Sequence, residues 1–527
     1  MPGRKEWFAR QNFFDDLEGS QVYENPSPCS GPGAQRRENV EMSPWAECGA
    51  IEGRGGGFAL ESALKKFLEP QSVAVIGASA TRGKGGNDII RNIQSNDYRG
   101  SLYLVNPKGG EILGVKVFKS ISDLPAGIDL AVLVLPASGS IQALKECAAK
   151  GMKAVVLVAG GFAEVDKEGE ALQKEILKIV QQTGMRVLGP NTSGLLSMPQ
   201  HLAATFFPLG KVPRGNISYI AQTGNFATHS MRYIMSAENY GVARVIGLGN
   251  KVDVEESEVL ECLGEDPETK AILLYLESFK RPRRFLEVAG KVTRRKPVLL
   301  LKGGSTEKGA KAAVTHTAAM ASDDRLVSGA LRQAGVVRMT KYSDLVLAAK
   351  ALALMPLPKG RGVGILAPSG AMAVCMADLC DRDLQLHVPE LEEKSRGRLQ
   401  AMSPGFIRMR NPVDIWPSAT LHGPGRAYRD GMETVLMDPN VDAVVSILML
   451  TDETGAPPLD FIVDLARRFP TKPIYVSCSG QRKHMEAAKA FLEPRGVPVF
   501  WFAEEAFEAL NFAAQCREAM ERRGTKG

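Results

Sequence analysis

Short apolar runs separated by helix-length amphipathic stretches recur along most of this chain. Ser72-Val-Ala-Val-Ile76 is the first, and runs of the same kind fall at 102–105, 130–135, 154–158 and 186–188, with helical patterns at 139–150 and 169–182 between them. A run of four to eight apolar residues rich in Val and Ile, bounded by Gly or Pro, predicts a strand buried on both faces. A second series, 217–220, 243–246, 271–275 and 298–301, follows a connector at 206–214. The third, 362–366, 443–448, 474–476 and 498–501, follows a Pro- and Gly-rich break at 355–361. Such βαβ repetition demands parallel sheets covered by helices on both faces. The expectation is an α/β fold of three tandem doubly wound parallel-sheet domains at 58–200, 201–354 and 355–527. Residues 1–57, rich in Gly, Pro, Ser and Glu with little periodicity, are expected to form a flexible amino-terminal arm.

Composition narrows the function classes. A chain of 527 residues exceeds one hydrophobic core, and 44% hydrophobic with 24% charged residues is ordinary for a soluble protein. The net charge of +6 is small, and Lys and Arg cluster only at 280–284 and 294–296, so no nucleic-acid partner is expected. Those clusters suit either a solvated face or the steering of an anion. No run approaches the ~18 apolar residues of a membrane helix, and no secretory core is evident, which predicts a cytoplasmic protein with no membrane partner. Eight cysteines without a CxxC pair argue against disulfides and zinc.

The candidate chemistry lies where strands end, because ligands of doubly wound sheets sit beyond the carboxyl ends of the strands. Gly77-Ala-Ser-Ala-Thr-Arg-Gly-Lys-Gly-Gly86 follows the first strand. Small residues there let backbone N–H groups reach a phosphate at a helix start, with Ser79 in the turn and Lys84 as charge, although a plain β-to-α turn reads the same way. The stretch is neither GxGxxG nor a Walker A loop. Asn106-Pro-Lys108 stands where a dinucleotide fold needs an acid; Lys108 suits an extra phosphate, or is simply exposed. Gly160, Gly161 and Phe162 after the fourth strand, and Asn191, Thr192 and Ser193 after the fifth, share the same edge and are candidate cleft walls. Gln222, Thr223, Gly224 and Asn225 begin a helix in the second unit, which makes either an anion site or only a cap at Thr223. Asp253 and Glu277 end strands of that unit. His316, one of six histidines, sits among small residues in Lys311-Ala-Ala-Val-Thr-His-Thr-Ala-Ala-Met320. No Cys, Asp or Glu stands at metal-ligand spacing from the histidines, so His316 is either a satisfied loop histidine or a nucleophile that carries a group covalently.

The ordered set Gly77-Ala-Ser, Asn106-Pro-Lys, Gly189-Pro-Asn, Gln222-Thr-Gly, Gly249-Asn-Lys-Val-Asp, Tyr275-Leu-Glu, Lys302-Gly-Gly, Thr315-His-Thr, Arg332-Gln-Ala-Gly and Asn411-Pro-Val-Asp resembles the α subunit of NDP-forming acyl-CoA synthetases, in the succinyl-CoA synthetase superfamily. The resemblance covers nearly nine-tenths of the chain. It implies a Rossmann-like CoA-binding domain followed by two flavodoxin-like ligase domains. It also implies that His316 is phosphorylated with Glu277 as its carboxylate partner, that Gln222, Thr223, Gly224 and Asn225 hold the phosphoryl group, and that Gly77, Ser79, Lys84, Asn106 and Lys108 line the coenzyme A site. Implied partners are a small-molecule acid and a separate ATP-grasp β subunit that binds ATP or ADP with Mg²⁺, in an α2β2-type hetero-oligomer. The chain departs from the family pattern in having Thr223 where the family has Ser, and Ala318 where it has Gly. Two rival readings are a non-catalytic acyl-CoA sensor of the same fold and an NAD-dependent oxidoreductase; the missing GxGxxG and Asn106-Pro-Lys108 speak against the second.

Overall fold

The structure, a computed structural model, describes residues 64–222, 224, 230–311, 323–452 and 458–524. The expected arm at 1–57, and with it Thr223, Asn225 and His316, lie outside the described residues. Among the described residues, three sheets of seven, seven and five strands follow one another along the chain. Their central strands are the apolar runs of the sequence. Residues 73–75, Leu130–Leu133 and Ala154–Leu157 of the first sheet and residues 272–274 of the second are sealed from solvent, as a strand covered on both faces must be.

In the first sheet Ser72–Ile76 lies between Ser101–Val105 and Leu130–Leu133, all parallel, with Ala154–Leu157 and Arg186–Leu188 beyond. The chain order reverses at Ser72–Ile76, so a crevice opens past Ile76 and Leu133. A small hairpin, Glu111–Ile112 with Val115–Phe118, closes the other edge. Its two-residue turn puts Leu113 at φ 49° and Gly114 at φ 79°, the left-handed pair that matches strand twist.

The second sheet centres on Arg214–Ala221, flanked by Val242–Gly247 and Ala271–Leu276, with Val298–Lys302 and Val337–Met339 outside. Gly194–Ser197 pairs antiparallel onto Val242–Gly247 and Leu202–Thr205 antiparallel onto Gly194–Ser197, so the second sheet recruits a strand from before residue 201, where the sequence pattern suggested a boundary. Two buried amides lock this crossing. Asn92, on the helix Gly85–Ser95, donates to the carbonyls of Thr205 (2.8 Å) and Phe207 (2.6 Å) and accepts from the Leu209 N–H, while Asn96 grips Gly210 and Val212 in the same manner. The third sheet orders Val413–Asp414, Val363–Ala367, Ala443–Leu450, Ile474–Gly480 and Val499–Phe500, all parallel. The final helix, Ala503–Gly524, buries Phe507 and Leu510 against the third sheet's core and Ala513, Cys516 and Ala519 against the second's. A buried ion network repeats that link: Lys350 meets Glu238 (2.6 Å) and Glu493 (2.9 Å), and Lys489 meets Glu238 (2.9 Å).

The first two sheets meet through their strand-end loops. Asn250 and Val252 donate backbone N–H groups to the carbonyls of Pro190 (2.9 Å) and Gly189 (3.0 Å). Arg186 clamps the joint, pairing with Asp253 at 2.9 Å and with Glu258 at 2.5 Å. Burial works against the guanidinium charge, but the two carboxylates outweigh it and hold the Arg186 pKa above its ordinary value. Asp253 is thereby committed to structure. Removing it as Asp253→Ala leaves a largely buried guanidinium short of a partner, and urea unfolding should show a loss of about 3 kcal/mol; a loss below about 0.5 kcal/mol would show that the clamp contributes nothing.

Candidate functional site

Past Ile76 the chain turns at Gly77, whose φ of 93° and approach to Val134 leave no room for a side chain: an added Cβ would lie 2.5 Å from the Val134 carbonyl oxygen. Gly86 is equally constrained, since its Cβ would sit 2.2 Å from the Gly77 oxygen. These two glycines let the helix Gly85–Ser95 begin directly over the end of the strand. Ser79 builds the turn, accepting from the Thr81 N–H at 3.1 Å, and its carbonyl accepts from Asn87 at 2.8 Å. Asn106 ties this turn to the next strand end: its amide donates to the Ala78 carbonyl (2.8 Å) and accepts from the Lys108 N–H (2.9 Å). Lys84 and Lys108 stay exposed on the rim, and no side chain caps the helix start that Lys84 precedes. Open N–H groups flanked by two amines suit phosphate oxygens.

Across the joint, Gly249 adopts φ 58° with its Cα so close to the first unit that a Cβ would fall 2.1 Å from the Pro190 oxygen. Glu164 holds the turn at 160–162 by accepting from the N–H groups of Gly161 (2.7 Å) and Phe162 (3.2 Å), and its other oxygen accepts from Asn250 at 2.5 Å. Gly160 and Asn191 are neighbours there, 3.2 Å separating a Cβ on Gly160 from the Asn191 oxygen. Thr192 donates to the Gly247 carbonyl at 2.5 Å. Phe162 differs from the sequence reading: it is 0% exposed, packed in the core with Leu157 and Ile176, and forms no cleft wall. Ser193 is 2% exposed and its hydroxyl has no hydrogen-bond partner among the described residues. Gly224, exposed, is beside it: a Cβ there would lie 3.9 Å from the Ser193 Cβ.

Gln222 organises the second edge. Its Oε1 accepts from the backbone N–H groups of Glu277 (2.9 Å) and Ser278 (3.0 Å) and from Lys251 Nζ (3.2 Å), and its Nε2 donates to the Ser278 hydroxyl (3.0 Å). Lys251, 3% exposed at φ 55°, pairs with Glu256 at 3.0 Å and donates to the Ser278 carbonyl at 2.7 Å. Burial pulls its amine below the ordinary value, against the raising influence of Glu256. Gln222 thus shapes the strand ends through its side chain. Sequence reasoning does not single out Lys251, Ser278 and Lys302 as site residues. The only signal for Lys251 is its place in the Gly249-Asn-Lys loop.

Glu277 is buried, and Tyr275 donates its hydroxyl to Oε1 at 3.2 Å. Burial and the adjacent carboxylate raise the Tyr275 pKa, so it stays a donor. Lys302 Nζ donates to the Glu277 carbonyl at 2.7 Å and also to that of Gly303. At Gly303 a Cβ would fall 2.9 Å from the Tyr275 hydroxyl and 3.1 Å from the Glu277 Cγ. The strand that leads toward the His316 segment therefore leaves the sheet against Glu277. The structure gathers Gln222, Gly224, Ser193 and Glu277 on meeting strand ends, and the Gly77, Ser79, Asn106 and Lys108 cluster on the first sheet's crevice. Among the described residues no cluster of three or more His, Cys, Asp or Glu could hold a metal, and no helix is long and apolar enough to cross a membrane.

Family models match two stretches: a CoA binding domain over residues 71–198 and a succinyl-CoA ligase like flavodoxin domain over residues 214–352. The α subunit of ADP-forming acetate–CoA ligase II of Pyrococcus furiosus is 35% identical over 464 residues, which are 86% of this chain and 97% of that one. The ADP-forming acetate–CoA ligase II of Archaeoglobus fulgidus is 36% identical over 85% of this chain, which spans 66% of that longer protein. Among solved structures, the dinucleotide forming acetyl-coenzyme A synthetase 1 of Ca. Korarchaeum cryptofilum, in complex with phosphate and ADP, superposes with a TM-score of 0.82 at 31% identity, covering 88% of this chain and 98% of that one. Matching domain models in the same order and near full-length likeness together show that this chain belongs to the α-subunit family of ADP-forming acyl-CoA synthetases, ligases of the succinyl-CoA synthetase superfamily.

Proposed function

We propose that this chain binds acyl-CoA in the first sheet's crevice and carries a phosphoryl group on His316, within an ADP-forming acid–CoA ligase whose nucleotide is held by an ATP-grasp β subunit with Mg²⁺. The assembly is read as an α2β2-type hetero-oligomer in the cytoplasm. The observation that carries this reading is the contact of Gly303 with Glu277: the segment bearing the imidazole starts at the buried carboxylate that would orient it.

In the synthesis direction of ATP, inorganic phosphate attacks the thioester carbonyl, the C–S bond breaks and CoA leaves as the thiol after taking a proton. A nitrogen of His316 then attacks phosphorus, the P–O bond to the acyl group breaks and the acid departs as carboxylate. The phosphohistidine passes the group to ADP, which restores the imidazole. Phosphoryl transfer asks for positioning and charge stabilisation more than for covalent chemistry by the protein. If residues 222–225 begin a helix, as the sequence pattern suggests, their N–H groups would be donors to the phosphoryl oxygens. The Ser193 hydroxyl, without a hydrogen-bond partner among the described residues, would add a donor beside Gly224. Lys84 and Lys108 would meet the phosphates of CoA, and Gly160, Gly161 and Asn191 would border the acyl group.

Incubating the complex with γ-labelled ATP and Mg²⁺ should label this chain with an acid-labile, base-stable phosphate. His316→Asn should remove the label and lower turnover on the order of a thousandfold or more while CoA still binds; label that survives the substitution sinks the assignment. Glu277→Gln should slow phosphorylation about a hundredfold and leave CoA affinity within about twofold. Equal losses in both quantities would show that Glu277 supports the fold rather than the imidazole.

A further inference from the structure

A second concavity lies away from the meeting strand ends. Its volume is about 410 Å³, and it is bounded by the helix Asp324–Gln333, the start of the edge strand Val337–Met339, Arg361 and the helix Ala503–Gly524. Arg361 precedes the strand Val363–Ala367, so the cavity sits at the amino-terminal ends of two strands, opposite to the edge that carries Gln222 and Glu277. Four arginines line it, Arg332, Arg338, Arg361 and Arg522, with Glu518 as the one carboxylate in the lining.

The local pairing leaves positive charge over. Glu518 serves two guanidiniums: Arg361 donates Nη2 to it at 2.9 Å, and Arg522 Nη1 stands 3.7 Å away. Asp324 takes Arg338 Nη2 at 3.0 Å, yet Arg338 Nη1 is buried with no hydrogen-bond partner among the described residues. Arg332 is exposed, and its guanidinium makes no hydrogen bond or ion pair among them. Two carboxylates thus face four guanidiniums. Arginine cannot relieve the repulsion by losing a proton, because a guanidinium keeps its charge in proteins. An anion relieves it, and planar guanidinium forks match phosphate oxygens in two-point hydrogen bonds. The volume falls in the range of about 300–1,000 Å³ usual for small-molecule sites.

We propose that this cavity is a binding site for a small phosphorylated ligand carrying at least two negative charges, held by Arg332, Arg338 and Arg522. The site is separate from the phosphotransfer edge, and its helix Asp324–Gln333 follows directly on the segment that contains His316. Occupancy joins that helix to the carboxy-terminal helix through one ligand.

Inorganic pyrophosphate is the probe, titrated calorimetrically into the full chain at low ionic strength, with Arg332→Gln, Arg522→Gln and the exposed control Arg467→Gln. The expected result is saturable binding that weakens about tenfold in each of the first two variants and is unchanged in the control. CoA titrations run beside it should be the same in all four proteins, which keeps a failure here distinct from a failure of the proposed function. Absence of saturable binding, equal affinity in wild type and both cavity variants, or an equal loss in the Arg467 control would each overturn the proposal.

Discussion

Everything at the candidate site depends on one close approach, the backbone of Gly249 against that of Pro190. A Cβ at Gly249 would come within 2.1 Å of the Pro190 oxygen, so only glycine permits the loops to pair. That pairing sets the carboxyl edge of the first sheet against the carboxyl edge of the second. Strand-end loops normally look out to solvent; here two sets of them face each other, and the Arg186 clamp with Asp253 and Glu258 keeps them there. A crevice suited to phosphates on one sheet and the strand end at Gln222 on the other become neighbours through this contact.

The second edge is built for rigidity. Gln222, Ser278 and Lys251 form one hydrogen-bonded group, with Glu256 ion-paired to Lys251, that fixes two strand ends and balances its charges internally. Glu277 has a different setting, with a tyrosine donor on its carboxylate, a lysine on its carbonyl and the Gly303 exit beside it. A buried, oriented carboxylate costs solvation, which hydrogen bonds offset. Such an arrangement suits a group that must hold an imidazole in one orientation while the phosphoryl oxygens are met by N–H donors elsewhere.

Much of the architecture was legible because a buried parallel strand has to be a continuous apolar run, and runs such as 73–75 or 272–274 admit few other readings. The elements that escaped were short or had unusual turns. The Glu111–Ile112 hairpin rests on a leucine at positive φ, and Gly194–Ser197 joins the second sheet antiparallel, a pairing that no local pattern announces. Gly77 was legible because a tight turn over a strand end asks for glycine. Lys251 was not, since its role comes from burial against Glu256 and Gln222, contacts set by the fold. Phe162 misled for a related reason: an aromatic ring after two glycines looks like a pocket wall, but its ring is turned into the core.

The central claim is that the phosphoryl group rests on this chain between two half-reactions. Isotope exchange between labelled ADP and ATP tests it most directly, using the reconstituted complex with Mg²⁺ and with neither CoA nor acid present. A carrier on this chain predicts exchange at a rate comparable to turnover, because the nucleotide half-reaction is complete without the acyl half. Exchange that appears only when CoA and the acid are both added would contradict the account.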